Sequence, residues 1–201
     1  MFEAVGITKS FRSKEVLAGA ELKVNRGESV AIVGENGAGK STFMNISAGI
    51  LKPDAGTVRI GGSLGWCPQQ PGLVDLLNAG EHLRLLSAGT PNPQAARERS
   101  VAMLDLLGFD LSDTTVSKDL SGGQRQKLNL ALTMLDDPEV LLLDEPYQGF
   151  DHGTYVNLWD QIARWTGEGR AVIVITHLLA ERSRVDRVVE VADGVINEVT
   201  V

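Results

Sequence analysis

"VGENGAGKST", residues 33–42, crowds three glycines around one lysine and follows the lysine with two hydroxyls. Glycine lets a backbone curl tightly enough for several N–H groups to converge on one point. The stretch fits G-x-x-x-x-G-K-[ST], with Gly34, Gly39, Lys40 and Ser41 at the fixed places. "ESVAIV" before it reads as a buried strand, and residues 40–48 after it read as a helix. A strand, a glycine loop and a helix N-terminus in that order make a phosphate cradle, to which the helix adds its partial positive charge. Lys40 is placed to reach β- and γ-phosphates, and the Ser41 hydroxyl to bind Mg²⁺. An ordinary glycine turn is the plainer alternative, and the strand–helix setting disfavours it.

Outward from this loop the pattern is α/β. "FEAVGIT", "VLAGAELKV", "TVRI" and "LGWC" read as further strands of the first third. Residues 78–107 turn helical, split where Pro91 and Pro93 fall, and carry no strand signal, which marks a helical insertion. After Leu120 alternation returns: helix 122–135, strand 140–143, helix 152–165, strand 171–176, a helix near 178–184, and the strands "RVVEV" and "VINEVTV" joined by the hairpin signal "ADG". No repeat or low-complexity segment interrupts this order.

Bulk properties set limits. The 201 residues suffice for one domain with a real core. The net charge of −7 argues against nucleic acid as a direct partner. Apolar runs such as "AVIVI" are strand-sized, far short of the ~20 residues that span a bilayer. The N-terminal stretch "MFEAVGITKSFRSKEV" lacks the apolar centre of a signal peptide. The single cysteine, Cys67, excludes an internal disulfide and a cysteine-based metal cluster, and reads as a small buried strand residue. Together these point to the cytoplasm.

Two further strands end in chemistry. "VLLLDEP" places Asp144 and Glu145 at the end of an apolar strand, and strand ends beside a phosphate loop form the binding crevice of a parallel sheet. Asp144 is suited to hold Mg²⁺, directly or through water, and Glu145 to orient or deprotonate an attacking water. "VIVITH" ends in His177, which could contact a γ-phosphate, although a lone histidine there is more often structural. "LSGGQ" then adds a serine, two glycines and a helix N-terminus: a second anion-binding design. Two such sites with one lysine are redundant within one molecule. They make sense if the second serves a neighbour's nucleotide, which implies a dimer.

With these motifs in place the chain resembles the ABC ATPases, the nucleotide-binding domains of ABC transporters, over essentially its whole length. "GENGAGKST" is similar to their Walker A loop, "LSGGQ" to their signature motif, "VLLLDEP" to Walker B, and His177 to the switch histidine. The resemblance implies a P-loop NTPase (RecA-like) core with an N-terminal antiparallel β-subdomain. It implies a single domain over 1–201, with about 1–77 and 136–201 forming the ATP-binding core and about 78–135 a helical subdomain ending in the signature. It also implies roles. ATP is held by Phe11, which stacks on adenine, and by Gly34, Asn36, Gly37, Ala38, Gly39, Lys40, Ser41, Thr42 and Gln69. Mg²⁺ is held by Ser41, Gln69 and Asp144, with Gln69 of "CPQQ" preferred to Gln70. Glu145, His177 and Lys40 are catalytic. Ser121, Gly122, Gly123 and Gln124 bind the ATP of a partner domain, and Asp151 is the D-loop aspartate. Two domains, identical or different, are expected to sandwich two ATPs head to tail and to drive transmembrane permease subunits at the cytoplasmic face of the membrane.

The chain departs from the family pattern in places. Tyr147, Gln148 and Phe150 stand in "EPYQGFD", where the family has a small hydroxyl residue after the proline and leucine before the aspartate; they lie where the two domains are expected to meet, and either tune dimer contacts or mark a heterodimeric partner. Lys127 and Leu132 stand where arginine and alanine are usual. This form is loosely like the exporter-type ATPases of small two-gene transporters, and no regulatory tail is expected. The competing expectation is a soluble ABC ATPase remodelling a ribosome, DNA or a cofactor-assembly complex. The chain shows neither a paired domain with a charged linker nor sustained heptads.

Overall fold

β3 (Ser29–Val33) is buried along its entire length, and so are β6 (Val140–Asp144) and β7 (Ala171–Ile175). Strands buried on both faces read as unbroken apolar runs, which is why these three lack the alternation of a half-exposed sheet. In the computed structural model, which describes residues 1–177 and 183–199, they form the centre of a six-stranded sheet of order β5-β6-β7-β3-β8-β9. β5 (Leu64–Cys67) and β8 (Arg187–Ala192) join in parallel, and β9 (Val195–Glu198) closes the edge antiparallel. The turn into β9 has Asp193 at φ 51° and Gly194 at φ 76°, the two consecutive positive angles a tight hairpin requires.

The central strands divide their side chains strictly between two cores. Ala31, Val33, Leu141, Leu143, Val172 and Val174 face one; Val30, Ile32, Val140, Leu142, Ile173 and Ile175 face the other. The first core is covered by α5 (His152–Gly167), through Leu158, Trp159, Ile162 and Trp165, and by the helical block. The second is covered by α1 (Lys40–Ser47), through Phe43, Met44 and Ile46. A smaller antiparallel sheet, β2 (Lys14–Val24), β1 (Phe2–Phe11) and β4 (Ala55–Ile60), adds Phe2, Ile7, Leu17 and Leu22 to that second core. Ala18 donates its N–H to the Gly194 carbonyl at 2.8 Å, tying the two sheets together.

The helical block is α2 (Ala79–Ser87), α3 (Pro93–Leu106) and α4 (Gly122–Thr133). Asn78 and Glu81 form a capping box on α2. Asn92 caps α3, and Pro93 stands in its first turn, where its missing N–H costs nothing. The strands of the first third begin or end up to three residues from the expected places, β1 running on to Phe11 beyond Thr8. β4 starts at Ala55 instead of Thr57, and β2 at Lys14 instead of Val16, because register with β1 extends both. A 3₁₀ turn at Ser117–Asp119, not anticipated from sequence, leads into α4. The expected helix near 178–184 falls mostly on 178–182, outside the described residues, as does the end of the last expected strand.

Candidate functional site: a nucleotide pocket at the sheet's C-terminal edge

The loop between β3 and α1 is shaped by three glycines at positive φ, Gly34, Gly37 and Gly39. At Gly34, φ is 140°, and a Cβ there would stand 2.5 Å from the Val191 carbonyl oxygen. Gly39 caps α1 in a left-handed conformation, without a side-chain cap and without an acidic residue in the first helical turn. The first N–H groups of α1 are therefore free of side-chain acceptors and suited to an anion. Lys40 is 6% exposed, and its ammonium donates to the carbonyl oxygens of Gly34 at 2.8 Å and Glu35 at 2.9 Å. Burial pulls its pKa down, while Glu145 and Asp144 pull it back up.

In front of the loop lies a cavity of about 360 Å³ lined by Phe11, Val16, Asn36, Gly37, Gly39, Lys40, Ser41, Thr42, Gln69, Glu145 and His177. These residues come from six separate stretches of chain. Phe11 is half exposed at the end of β1, with the Lys9 ammonium 5.7 Å from its ring centre. Gly34 and Ala38 belong to the loop but do not line the cavity; Ala38 donates to the Glu35 carbonyl at 3.2 Å. Gln69, not Gln70, reaches the site.

Asp144 ends β6, 3% exposed, and is not among the residues that line the cavity. Desolvation raises its pKa, against the opposing pull of the nearby Ser41 hydroxyl. Its Oδ1 is buried with no hydrogen-bond partner. An orphaned carboxylate oxygen beside a serine hydroxyl is a hard-oxygen donor set, and it fits a divalent cation that completes its shell with water and phosphate oxygens. Among the described residues no group of three or more His, Cys, Asp or Glu gathers at one point, so the donor set fits an open site better than a closed protein cage.

Glu145 leaves β6 at φ 47°, an angle a non-glycine residue rarely takes, and this turns its carboxylate out of the strand into the cavity. Three donors meet that carboxylate: His177 Nε2 at Oε1, Gln69 Nε2 at Oε2 (3.0 Å), and Gln148 Nε2, also at Oε2. Tyr147 shares a 2.8 Å hydrogen bond with the Thr176 hydroxyl, and its phenol oxygen accepts the His177 N–H at 3.4 Å. From sequence, Tyr147 and Gln148 have a place at the expected domain contact but no part around Glu145. The signal that could have found them is their departure from the family pattern.

The "LSGGQ" residues lie elsewhere. Ser121 caps α4: its hydroxyl accepts the Gln124 N–H at 3.2 Å, and the Gln124 side chain accepts the Ser121 N–H at 3.0 Å. None of the four lines the phosphate-loop cavity. Gly122 lines a second hollow of about 250 Å³ with Gln148 and Gly149, which adjoins the first cavity through Gln69. A Cβ on Gly123 would stand 2.3 Å from the Gly149 carbonyl oxygen, so the two loops touch backbone to backbone. Asp151 caps α5 through the Thr154 N–H (3.0 Å) and hydroxyl (2.7 Å) and faces Lys127 at 3.8 Å. The Thr154 hydrogen bonds hold its carboxyl down at about 2.

A parallel sheet whose central strands end in a glycine–lysine loop and a buried aspartate defines a P-loop NTPase. Residues 17–148 match the family model described as ABC transporter, and the chain belongs to that family. It is an ABC ATP-binding subunit that hydrolyses ATP. It is 34% identical over 194 residues to the aliphatic sulfonates import ATP-binding protein SsuB of Corynebacterium glutamicum, covering 95% of this chain and 80% of that one. It is 31% identical to the lipoprotein-releasing system ATP-binding protein LolD of Bacteroides thetaiotaomicron, covering 98% and 100%. It is 32% identical to the macrolide export ATP-binding/permease protein MacB of Rhodospirillum rubrum, covering 98% of this chain and 34% of that longer one. Among solved structures, the dimeric bacterial ABC transporter cassette MJ0796 superposes with a TM-score of 0.88 at 25% identity, covering all of both chains.

Proposed function

We propose that this chain works as one half of a pair of cassettes that converts ATP hydrolysis into transport through separate transmembrane subunits, in the outward direction, at the cytoplasmic face of the membrane. The observation that carries the paired reading is a split. Lys40, Ser41, Gln69, Glu145 and His177 converge on one cavity, while Ser121 and its glycines lie outside it. One chain therefore offers most of a nucleotide site and, elsewhere, a helix N-terminus that suits the γ-phosphate of another.

In this reading Lys40 exchanges the Gly34 and Glu35 carbonyls for β- and γ-phosphate oxygens. The backbone N–H groups of the loop take the remaining phosphate charge, and Phe11 offers its exposed ring to adenine. Ser41, Asp144 and the side-chain oxygen of Gln69 are the residues that would hold Mg²⁺, which would neutralise phosphate charge when bound. Glu145 orients the attacking water and accepts its proton, and His177 holds the far side of the γ-phosphate. The paired, closed form is populated with ATP and released after hydrolysis, a ligand-driven population shift.

The face toward the transmembrane subunits is placed on the helical subdomain, about residues 78–135, and the segment before it. Val74, Leu76, Leu85 and Leu86 expose large apolar side chains there. The relatives include both importing and exporting proteins. The outward direction rests on Lys127 and Leu132 in the helix after the signature and on the exporting relative. Among the described residues no helix is long and apolar enough to cross a membrane, so the spans must come from other chains or other segments.

The test is to isolate the tagged protein from detergent-solubilised native membranes at native expression and identify its companions by mass spectrometry. A stoichiometric protein with several membrane spans is expected. Reconstituted with it, ATP-driven efflux of that system's substrate is expected. Recovery with ribosomal or assembly proteins and no membrane partner would overturn the transport reading. ATP-driven uptake would overturn the direction alone.

A further inference from the structure

Of the three donors on the Glu145 carboxylate, two come from distant chain: Gln69 follows β5 and His177 follows β7. Gln148 alone belongs to the same turn as Glu145. Its backbone N–H donates to the Glu145 carbonyl at 3.3 Å, and its side-chain amide closes over the turn onto Oε2. The turn is held from beneath as well. The Tyr147 ring packs edge-on against Tyr155 at 5.5 Å and near Trp159 at 6.4 Å, while its phenol bonds to Thr176. This scaffold maintains the unusual φ at Glu145, which would relax if nothing opposed it.

We propose that Gln148 is a positioning residue for the water-activating carboxylate, one that stays with Glu145 when the other donors leave. The inference rests on the reading of Glu145 as the catalytic base. Oε2 has room for about two donors in its plane, and Gln69 and Gln148 occupy both. Gln69 also serves the cation in the proposed site, and turning its side chain that way removes its N–H from Oε2. The vacated direction then admits the attacking water, while Gln148 keeps the carboxylate plane fixed. His177 cannot do this alone, because a single contact at Oε1 leaves the carboxylate free to rotate about its terminal bond.

The test compares Gln148→Met, which keeps the length without the donor, Gln148→Glu, which replaces the donor by a like charge, and Glu145→Gln. Fluorescent-nucleotide affinity, KM and kcat are measured on purified protein with ATP. For Gln148→Met the expected result is unchanged nucleotide affinity and KM with kcat down about tenfold, and for Gln148→Glu a larger loss in kcat alone. A purely structural role would move affinity, KM and melting temperature together. Unchanged kcat in both Gln148 variants, with Glu145→Gln inactive, overturns the positioning role and leaves the base reading standing. Normal turnover in Glu145→Gln overturns the base reading, and the inference with it.

Discussion

The Lys40 ammonium donates to the Gly34 carbonyl oxygen at 2.8 Å, across the loop that both residues help to form. The lysine is thus folded onto its own cradle, with a buried stem and a charge already facing the place where phosphate would sit. Removing it deletes the one cation of the phosphate loop while the glycine geometry survives. Lys40→Ala should weaken ATP binding by about 100-fold or more, the worth of charge-assisted hydrogen bonds to phosphate, with little change in circular dichroism. Titration with a fluorescent ATP analogue decides it, and undiminished affinity would remove the phosphate-loop assignment.

Glu145→Gln should bind ATP and hardly turn over. Loss of a general base costs about 10²–10⁴ in rate. Since hydrolysis opens the pair, this variant should also elute as a dimer in gel filtration with ATP and as a monomer without it. A variant that remains monomeric at saturating ATP, with its partner cassette supplied, would argue against the sandwich.

Ser121→Arg places a bulky cation at the start of α4, outside the phosphate-loop cavity. It also deletes the α4 cap, at a cost of about 1 kcal/mol, so its melting curve belongs beside its kinetics. ATP binding to the single chain should persist while ATPase activity is lost. Retained activity would mean that the site is complete within one chain.

The buried Cys67 thiol is pushed up to about 12 by desolvation, from an ordinary 9.0. It accepts from the Asn129 side-chain amide at 3.3 Å. In the folded protein it should resist iodoacetamide at pH 8 and react only on unfolding, a quench-and-mass measurement. Because the folded state binds this proton more tightly, its contribution to stability falls as pH rises from about 9 towards 12. Asp151 acts in the opposite sense. With its carboxyl held at about 2 against 3.8, its contribution is present at neutral pH and is lost as pH falls through that interval. Denaturant midpoints across pH, with Asp151→Asn as the reference, separate the two.

Much of this was legible because it is local. The loop at 34–41, the strand that ends in Asp144 and Glu145, and the glycines of "LSGGQ" are each specified within ten residues. The buried strands stand out as unbroken apolar runs. What sequence could not show depends on distance. Nothing in "CPQQ" says that Gln69 shares an oxygen atom with Gln148, or that Tyr147 bonds to Thr176, 29 positions further along the chain. The edges of β2 and β4 were misjudged for the same reason: their length is set by the register of β1, with its irregularities near Ala4–Thr8, and not by their own composition.

The odd–even division of the central sheet has a consequence for the two adjacent carboxylates. Asp144 shares the parity of Val140 and Leu142, which face the side where α1 lies, and so it meets the hydroxyl of Ser41 on that helix. Glu145 has the other parity and would point toward α5 were the chain to continue as a strand; its positive φ carries it off the sheet instead. Which acid can meet Ser41, and which is released to the cavity, is a matter of counting along β6. Reversing the pair, or deleting a single residue from that strand, would exchange their addresses without changing the composition of the site. The order aspartate-then-glutamate is thus written into the arithmetic of the pleat before any ligand is present.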